Sequence, residues 1–332
     1  MSPLDPHPAQ DLADINTIGI PRALLYYRYR TLWETFFREI GRTVIVSDPS
    51  DRGILEAGER LSVDECCLAS KLYLGHVERL IGACDAIFVP SIGNFGKRKS
   101  FCTKFQALPD LVSSSFEKGQ VRIASCLIDE VYANATAESA FAGMGTRFGC
   151  SKKKAKAAWS EARKAQEKDE ARRAKKQMRL IEQTNEAPAE ERPLKLLIAA
   201  HPYVVHDPFI GGPIVDALAD MGVCTLFADD FDRTKALEKS YSFSKTLPWI
   251  VNREIIGAIL SLYDEIDGIV LASAFPCGPD SMTNDAVMRN VVGKPTLSLT
   301  IDAQSGTAGL ETRVESFVDI LHYQKRGGYL DA

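Results

Sequence analysis

The sequence predicts an α/β protein of two Rossmann-like lobes with parallel sheets and a charged helical insertion between them. Three observations predict it. Short apolar runs alternate with amphipathic stretches in two separate segments, the pattern of parallel βαβ units. Between those segments the composition changes to a glycine-free run, residues 151–192, with 13 Lys/Arg against 8 Asp/Glu. A chain of 332 residues also exceeds what one compact core usually supports.

In the first segment Thr17–Ile20 and residues 43–47, 86–90 and 121–128 read as strands. Residues 23–40 carry Leu24, Trp33, Phe36 and Phe37 at helical spacing, and residues 68–81 carry Leu72, Val77 and Leu80 on one side. Residues 152–181 are rich in Ala, Lys, Arg, Glu and Gln and predict one long helix. Its apolar side is thin (Trp159, Ala162, Ala171, Ala174, Met178, Ile181), which reads as a solvated connector, with a basic docking surface as the alternative. In the second segment residues 194–200 and 223–228, Gly268–Ala274 and Thr296–Ile301 read as strands, and residues 214–221, 250–263 and 310–323 as helices. The expected organisation is a flexible N-terminal tail over 1–14, an N-terminal α/β domain over 15–135, the helical insertion or linker over 136–192, and a C-terminal α/β domain over 193–332.

Composition closes off several function classes. Hydrophobic content of 45% and charged content of 25% are ordinary for a globular protein. A net charge of −4 offers no general attraction to nucleic acid or to an anionic membrane, and the basic run lacks interleaved aromatics or a reader motif. No apolar stretch approaches the roughly 20 residues needed to span a bilayer. The opening is polar with three prolines and lacks the regions of a signal peptide, so a cytoplasmic location is expected. There the eight cysteines stay reduced, which favours metal binding over a disulfide framework.

Three of these cysteines, Cys67, Cys102 and Cys277, fall in short polar or glycine-bearing turns where apolar runs end. Thiols outside a strand core are available to a soft metal, and ligands bind beyond the carboxyl ends of parallel strands. Cys277 follows Gly268–Ala274 almost at once, and Gly278 after it permits close approach of backbone at a helix start. There is no C-x2-C pair for a zinc ribbon, ferredoxin loop or redox motif, so ligands 35 and 175 residues apart must be assembled by the fold, as in a cleft between lobes. The remaining cysteines read as packing residues: Cys84 and Cys224 beside or within strands, Cys126 at the end of one, Cys66 a bystander to Cys67, and Cys150 without a role. His201 and Asp207 follow a strand at a functional end, His76 reads as a satisfied structural histidine, and Asp302 closes the last strand before Ser305-Gly306. Neither a dinucleotide fingerprint nor a phosphate-binding P-loop is present, so the chain is not expected to hydrolyse nucleotide itself.

Ile18-Gly19-Ile20-Pro21-Arg22-Ala23-Leu24 resembles the opening of proteins related to 2-hydroxyacyl-CoA dehydratases and their activases. Further matches come in the same order: Asp64-Glu65-Cys66-Cys67 with Lys71 and Gly75-His76-Val77; Cys102-Thr103-Lys104-Phe105 with Leu108-Pro109-Asp110; His201-Pro202-Tyr203 with Asp207-Pro208; Cys277-Gly278-Pro279-Asp280; and Thr300-Ile301-Asp302 through Gly309-Leu310. The chain looks most like the small stand-alone, activase-related members, which are related to the double-cubane cluster proteins. The resemblance implies Cys67, Cys102 and Cys277 as ligands of a [4Fe–4S] cluster or a double-cubane cluster, with Gly278 beside it. It implies an electron-accepting protein for dehydratase or reductive chemistry on a small substrate, working with an ATP-hydrolysing iron–sulfur activator. It also implies a homodimer or a heterodimer of related subunits. The non-catalytic alternative is a cluster carrier, or an accessory subunit docking onto a dehydratase or its activator. Lys71, Lys104 and Asp302 are candidates for placing charge near such a site. Two positions depart from the family pattern: Leu68 stands where a proline often follows the first cysteine, and Ala303 where an acid commonly follows Asp302.

Overall fold

The computed structural model describes residues 11–188, 190–304 and 307–325. The chain divides into two compact units, Met1–Asp169 with Thr246–Ile250, and Glu170–Lys245 with Val251–Ala332. Most of the segment expected as a flexible tail, residues 1–10, and the Ser305-Gly306 turn lie outside the described residues.

The first unit runs β1 (Thr17–Ile20), α1 (Tyr26–Glu39), β2 (Thr43–Val46), α2 (Arg52–Arg60), α3 (Leu68–Leu80), β3 (Ala86–Phe88), β4 (Ser91–Asn94), α4 (Thr103–Gln106), α5 (Leu108–Ser115), β5 (Ile123–Ala124), β6 (Leu127–Asp129) and α6 (Ala137–Arg147). Then comes α7 (Lys152–Glu186), whose residues are divided between the units at Asp169. Four strands form a parallel sheet in the order β2-β1-β3-β5, and β4 pairs with β6 in a parallel pair of its own. The run at 86–90 is therefore two strands: Pro90 has no N–H for a ladder, so β3 stops before it and β4 begins after it. The run at 121–128 divides likewise at Ser125-Cys126.

Aromatic burial holds this unit together. Phe88 of β3 meets Trp33 and Phe37 of α1 edge-on at 5.1 and 5.0 Å, and Phe141 of α6 stacks on Trp159 at 4.9 Å. Helix α2, invisible to the periodicity reading, starts where the Asp51 side chain accepts a hydrogen bond from Ile54 N–H at 2.7 Å. It crosses α3 so closely that a Cβ on Gly58 would sit 1.8 Å from the Lys71 carbonyl, and one on Gly75 1.9 Å from the Ile54 carbonyl.

The second unit runs β7 (Lys195–Ala200), α8 (Pro202–Val205), α9 (Gly212–Asp220), β8 (Cys224–Phe227), α10 (Arg233–Phe243), α11 (Ile250–Ser261), β9 (Gly268–Ala274), α12 (Gly278–Asn290), β10 (Thr296–Ile301) and α13 (Thr307–Lys325). Its parallel sheet has the order β10-β9-β7-β8. Strands β7 and β9 are buried along their whole length, as a sheet covered on both faces requires.

Helix α7 is longer than expected and is not solvated all round. Ala155, Ala158, Trp159, Ala162 and Gln166 are buried in its first part, and Gln177, Ile181 and Thr184 in its second. Helix α1 kinks at Tyr29, and there Gln166 supplies what the helix loses: its side chain accepts from Leu32 N–H at 3.1 Å and donates to the Arg28 carbonyl at 2.9 Å. Gln177 does the same for β8, an edge strand, accepting from Phe227 N–H at 2.7 Å and donating to its carbonyl at 3.0 Å. Small alanines and two amide side chains carry little hydrophobicity, which is why the buried stripe reads as thin in the sequence.

Candidate functional site

Cys67, Cys102 and Cys277 share one local setting. Each is the residue before a helix, α3, α4 and α12 respectively, with extended or near-extended backbone and no side-chain capping bond. None of the three is in a disulfide, and each is only partly buried. Cys67 and Cys102 belong to the first unit and Cys277 to the second. Cys67 follows a helix, not a strand: Glu65 and Cys66 belong to the link between α2 and α3. Cys102 lies between β4 and α4, and Cys277 follows β9 after a cis Phe275–Pro276 peptide.

The Cys67 sulfur lies 3.2 Å from Ser70 Oγ, and the Cys277 thiol hydrogen-bonds to the Asp280 carboxylate. A Cβ at Gly278 would meet nothing within 4 Å, so the space before the first turn of α12 is open. Lys71 and Lys104 are half-buried, one turn or less beyond Cys67 and Cys102. Asp302 is exposed, and its carboxylate closes a local turn by accepting from Gln304 N–H at 2.8 Å. Among the described residues no group of three or more His, Cys, Asp or Glu is arranged to hold a metal ion. As donor types, three cysteine thiols on loop–helix junctions are what an iron–sulfur cluster takes.

The other cysteines have local partners. Thr184 Oγ1 donates to the buried Cys224 sulfur at 3.4 Å, and the Cys84 thiol donates to the Leu80 carbonyl at 3.4 Å, filling the space beside Gly19. Burial pushes the Cys84 thiol up, away from thiolate character. Cys150 donates to the Ile40 carbonyl at 3.7 Å. Cys66 and Cys126 are buried, and Cys126 lines an open cavity of about 360 Å³ with Arg147, Ser139 and Thr146.

Three histidines define three electrostatic settings. His76, on α3, is fully buried with Ser47 Oγ 2.9 Å from Nδ1 and Ser50 Oγ 2.9 Å from Nε2. Burial, with the nearby Arg22 charge, pushes it down to about 4, so it is a neutral structural residue, as its helical position suggested. His206 sits after α8 with Nε2 3.0 and 2.9 Å from the two oxygens of Asp229, which Arg173 also approaches at 3.3 Å; Arg173 pairs with Asp230 as well. Burial opposes both charges, yet His206 and Arg173 hold Asp229 down to about 2, and Asp229 holds His206 above its usual value.

The third, His201, lies at the carboxyl end of β7. In this sheet β8 lies on one side of β7 and the later strands on the other, so the order reverses between β7 and β9. Open α/β sheets bind ligands in the crevice at such a point. Nε2 of the buried His201 is 2.8 Å from Asp280 Oδ1, in the first turn of α12, and the His201 ring packs on Tyr203 at 4.9 Å. Asn252 of α11 donates to the same Asp280 oxygen at 2.9 Å and lies 2.9 Å from Thr283 Oγ1, which in turn donates to the Pro279 carbonyl at 2.9 Å. Burial would raise the Asp280 carboxyl, but His201, Asn252 and Cys277 together hold it below its ordinary value.

A family model described as "CoA enzyme activase uncharacterised domain (DUF2229)" matches residues 17–231, well over half the chain. The chain belongs to this family. The matched span contains Cys67, Cys102, His76, His201 and His206, and ends before Cys277 and Asp280. No curated protein matches the chain. Among solved structures, a glucosamine-6-phosphate deaminase from Thermotoga maritima aligns over 93% of this chain and 85% of its own at 9% identity, with a TM-score of 0.22. So low a score carries no argument about this protein. No described helix is long and apolar enough to cross a membrane.

The sequence reading singled out His201 and Cys277 but passed over Asp280, Asn252 and Thr283. Asp280 could have been found: it stands three residues after Cys277, where an acid faces the free amides of a helix start. Asn252 carries no such signal, because its role depends on how α11 packs.

Proposed function

We propose that this activase-family chain is an iron–sulfur protein that accepts low-potential electrons from an ATP-hydrolysing activator, for dehydratase-type or reductive chemistry on a small substrate. Cys67, Cys102 and Cys277 are the ligands in this reading, of a [4Fe–4S] or a double-cubane cluster. The observation that supports it is their shared local setting: three partly open thiols outside any disulfide, each at the start of a helix and none capping it. A bound cluster would supply one-electron chemistry. The chain's own residues would set its surroundings: Ser70 beside Cys67, Asp280 beside Cys277, and the lysines Lys71 and Lys104 as positive charge near an anionic cluster.

A carrier or accessory subunit, docking onto a dehydratase or its activator, is the second reading. The family description favours it, since it groups the chain with activases and not with the enzymes they activate.

Iron and acid-labile sulfide, measured after anaerobic purification and reconstitution, test the cluster. Replacing Cys67, Cys102 and Cys277 with serine together should remove the iron, while Cys224→Ser keeps it. A folded, reconstituted wild-type protein without iron would sink the proposal. Cluster binding without turnover in the presence of an activator and ATP would select the carrier reading.

A further inference from the structure

The two deeply buried histidines with close side-chain neighbours are treated differently by their units. His76 has a hydroxyl at each ring nitrogen. His201 is only 6% exposed, yet neither of its nitrogens has a hydrogen-bond partner of good geometry among the described residues. Nε2 has the close ionic contact with Asp280, and Nδ1 has no partner among those residues. An unbonded buried polar atom destabilises the fold, so a purely structural pair would be expected to find it a partner.

The position in the sheet is the one at which open α/β folds receive ligands. His201 is the first residue after β7, and the register that sets Ala200 beside Ala272 brings it level with Ser273 of β9, which in turn is level with Thr300 of β10. The start of α12 faces open space at Gly278, with Phe275, Pro276 and Gly278 exposed and Cys277 partly so. Asp280 is itself fixed by Asn252, so the imidazole is oriented from a rigid base.

We propose that His201 and Asp280 form an acid–base site for a small ligand bearing a hydroxyl or carbonyl oxygen, admitted at the β7–β9 switch point. His201 Nδ1 meets the ligand, and Asp280 is the positioning residue. With the Asp280 carboxylate facing Nε2–H, Nδ1 carries the lone pair. A ligand O–H bond breaks, its electron pair stays on oxygen, and an N–H bond forms at Nδ1. The resulting imidazolium is balanced by Asp280, and the reverse transfer returns the proton to a departing or carbonyl oxygen. No oxidant or reductant enters the step, and the site does not require Cys277 to hold a cluster.

Diethyl pyrocarbonate, a small carbonyl compound that acylates unprotonated imidazole nitrogen, tests this on the full-length folded chain with peptide mass mapping. His201 should be labelled about tenfold or more faster than His76, whose nitrogens are both engaged, the factor that one hydrogen bond supplies. Asp280→Asn should slow His201 labelling about tenfold, through loss of the ionic contact at Nε2 and of the tautomer it favours, and Asp280→Glu should restore part of it. A His201 as unreactive as His76 would show a sealed ion pair and overturn the proposal, as would labelling unchanged in Asp280→Asn. If Asp280→Asn does not fold, the wild-type comparison of His201 with His76 still decides. Iron content of the same preparation reports separately on the cluster.

Discussion

Lowering the pH from 7 to 4 should weaken the first unit through one residue, His76. Its side chain is fully buried between Ser47 and Ser50, with its proton affinity pushed down to about 4 from the ordinary 6.5. In the unfolded chain it takes up a proton near pH 6.5, whereas in the folded unit it does so only near 4. Between those values the unfolded state binds more protons, so stability is fully present above pH 6.5 and is lost as the pH falls towards 4. At roughly 1.4 kcal/mol per pH unit of displacement, the loss amounts to about 3 kcal/mol. Trp33, Trp159 and Trp249 all belong to the first unit, so tryptophan fluorescence in urea follows it selectively. Wild type and His76→Gln should be compared across this range. The variant should be less stable at pH 7 but should lose stability less steeply on acidification, the difference in slope being the histidine's share. Parallel profiles for the two proteins would refute the argument, because carboxylates common to both would then account for the whole pH dependence.

Gly58→Ala or Gly75→Ala should each cost about 2–3 kcal/mol in the same fluorescence assay, since the new methyl meets backbone carbonyls that cannot move without separating α2 from α3. Gln177→Ala leaves both backbone groups of Phe227 without their partner, and should raise amide hydrogen exchange in β8 by the equivalent of about 2 kcal/mol. Asp229→Asn leaves His206 and Arg173 without their shared anion, and should destabilise the second unit at pH 7 by about 3 kcal/mol, read by hydrogen exchange over α10 and β8. Because Asp229 is held down to about 2, its contribution is present above pH 4 and fades as the pH falls towards 2, so wild type and variant should converge in strong acid.

The elements legible in the sequence are those whose signal is local. Gly268–Ala274 falls on its strand residue for residue because a strand buried on both faces is written as a near-continuous apolar run, and Thr296–Ile301 does so because its β-branched and apolar residues alternate. Helix α2 was not legible by periodicity, although Asp51 announces its start. The buried side of α7 was hidden for another reason: Gln166 and Gln177 satisfy backbone groups 50 or more residues away in sequence, which no window along the chain can reveal. The placement of Cys67 and Cys277 at helix starts was legible in the turns around them, that of Cys102 before the short α4 was not, and the pairing of Asp280 with His201 depends on strand order, which no local signal carries.

Both sheets carry the same strand order, second–first–third–fourth, so each unit has its switch point beside its first strand. At that place each unit departs from what stability alone would select. After β1, Leu24 is held with φ at +50°, a left-handed conformation that costs a bulky residue about 1–2 kcal/mol. Its burial secures the turn that carries Arg22, whose N–H bonds Ser47 at 2.8 Å and whose charge helps keep His76 neutral. After β7, the buried His201 is left with an unbonded nitrogen. Strain in one sheet and an unsatisfied polar atom in the other are different costs at equivalent topological positions. Both costs fall where open α/β sheets receive their ligands, the places at which strain and unsatisfied polar groups serve binding or chemistry. That reasoning makes the ends of β1 and β7, more than the cysteines alone, the places where this chain's specificity should be sought.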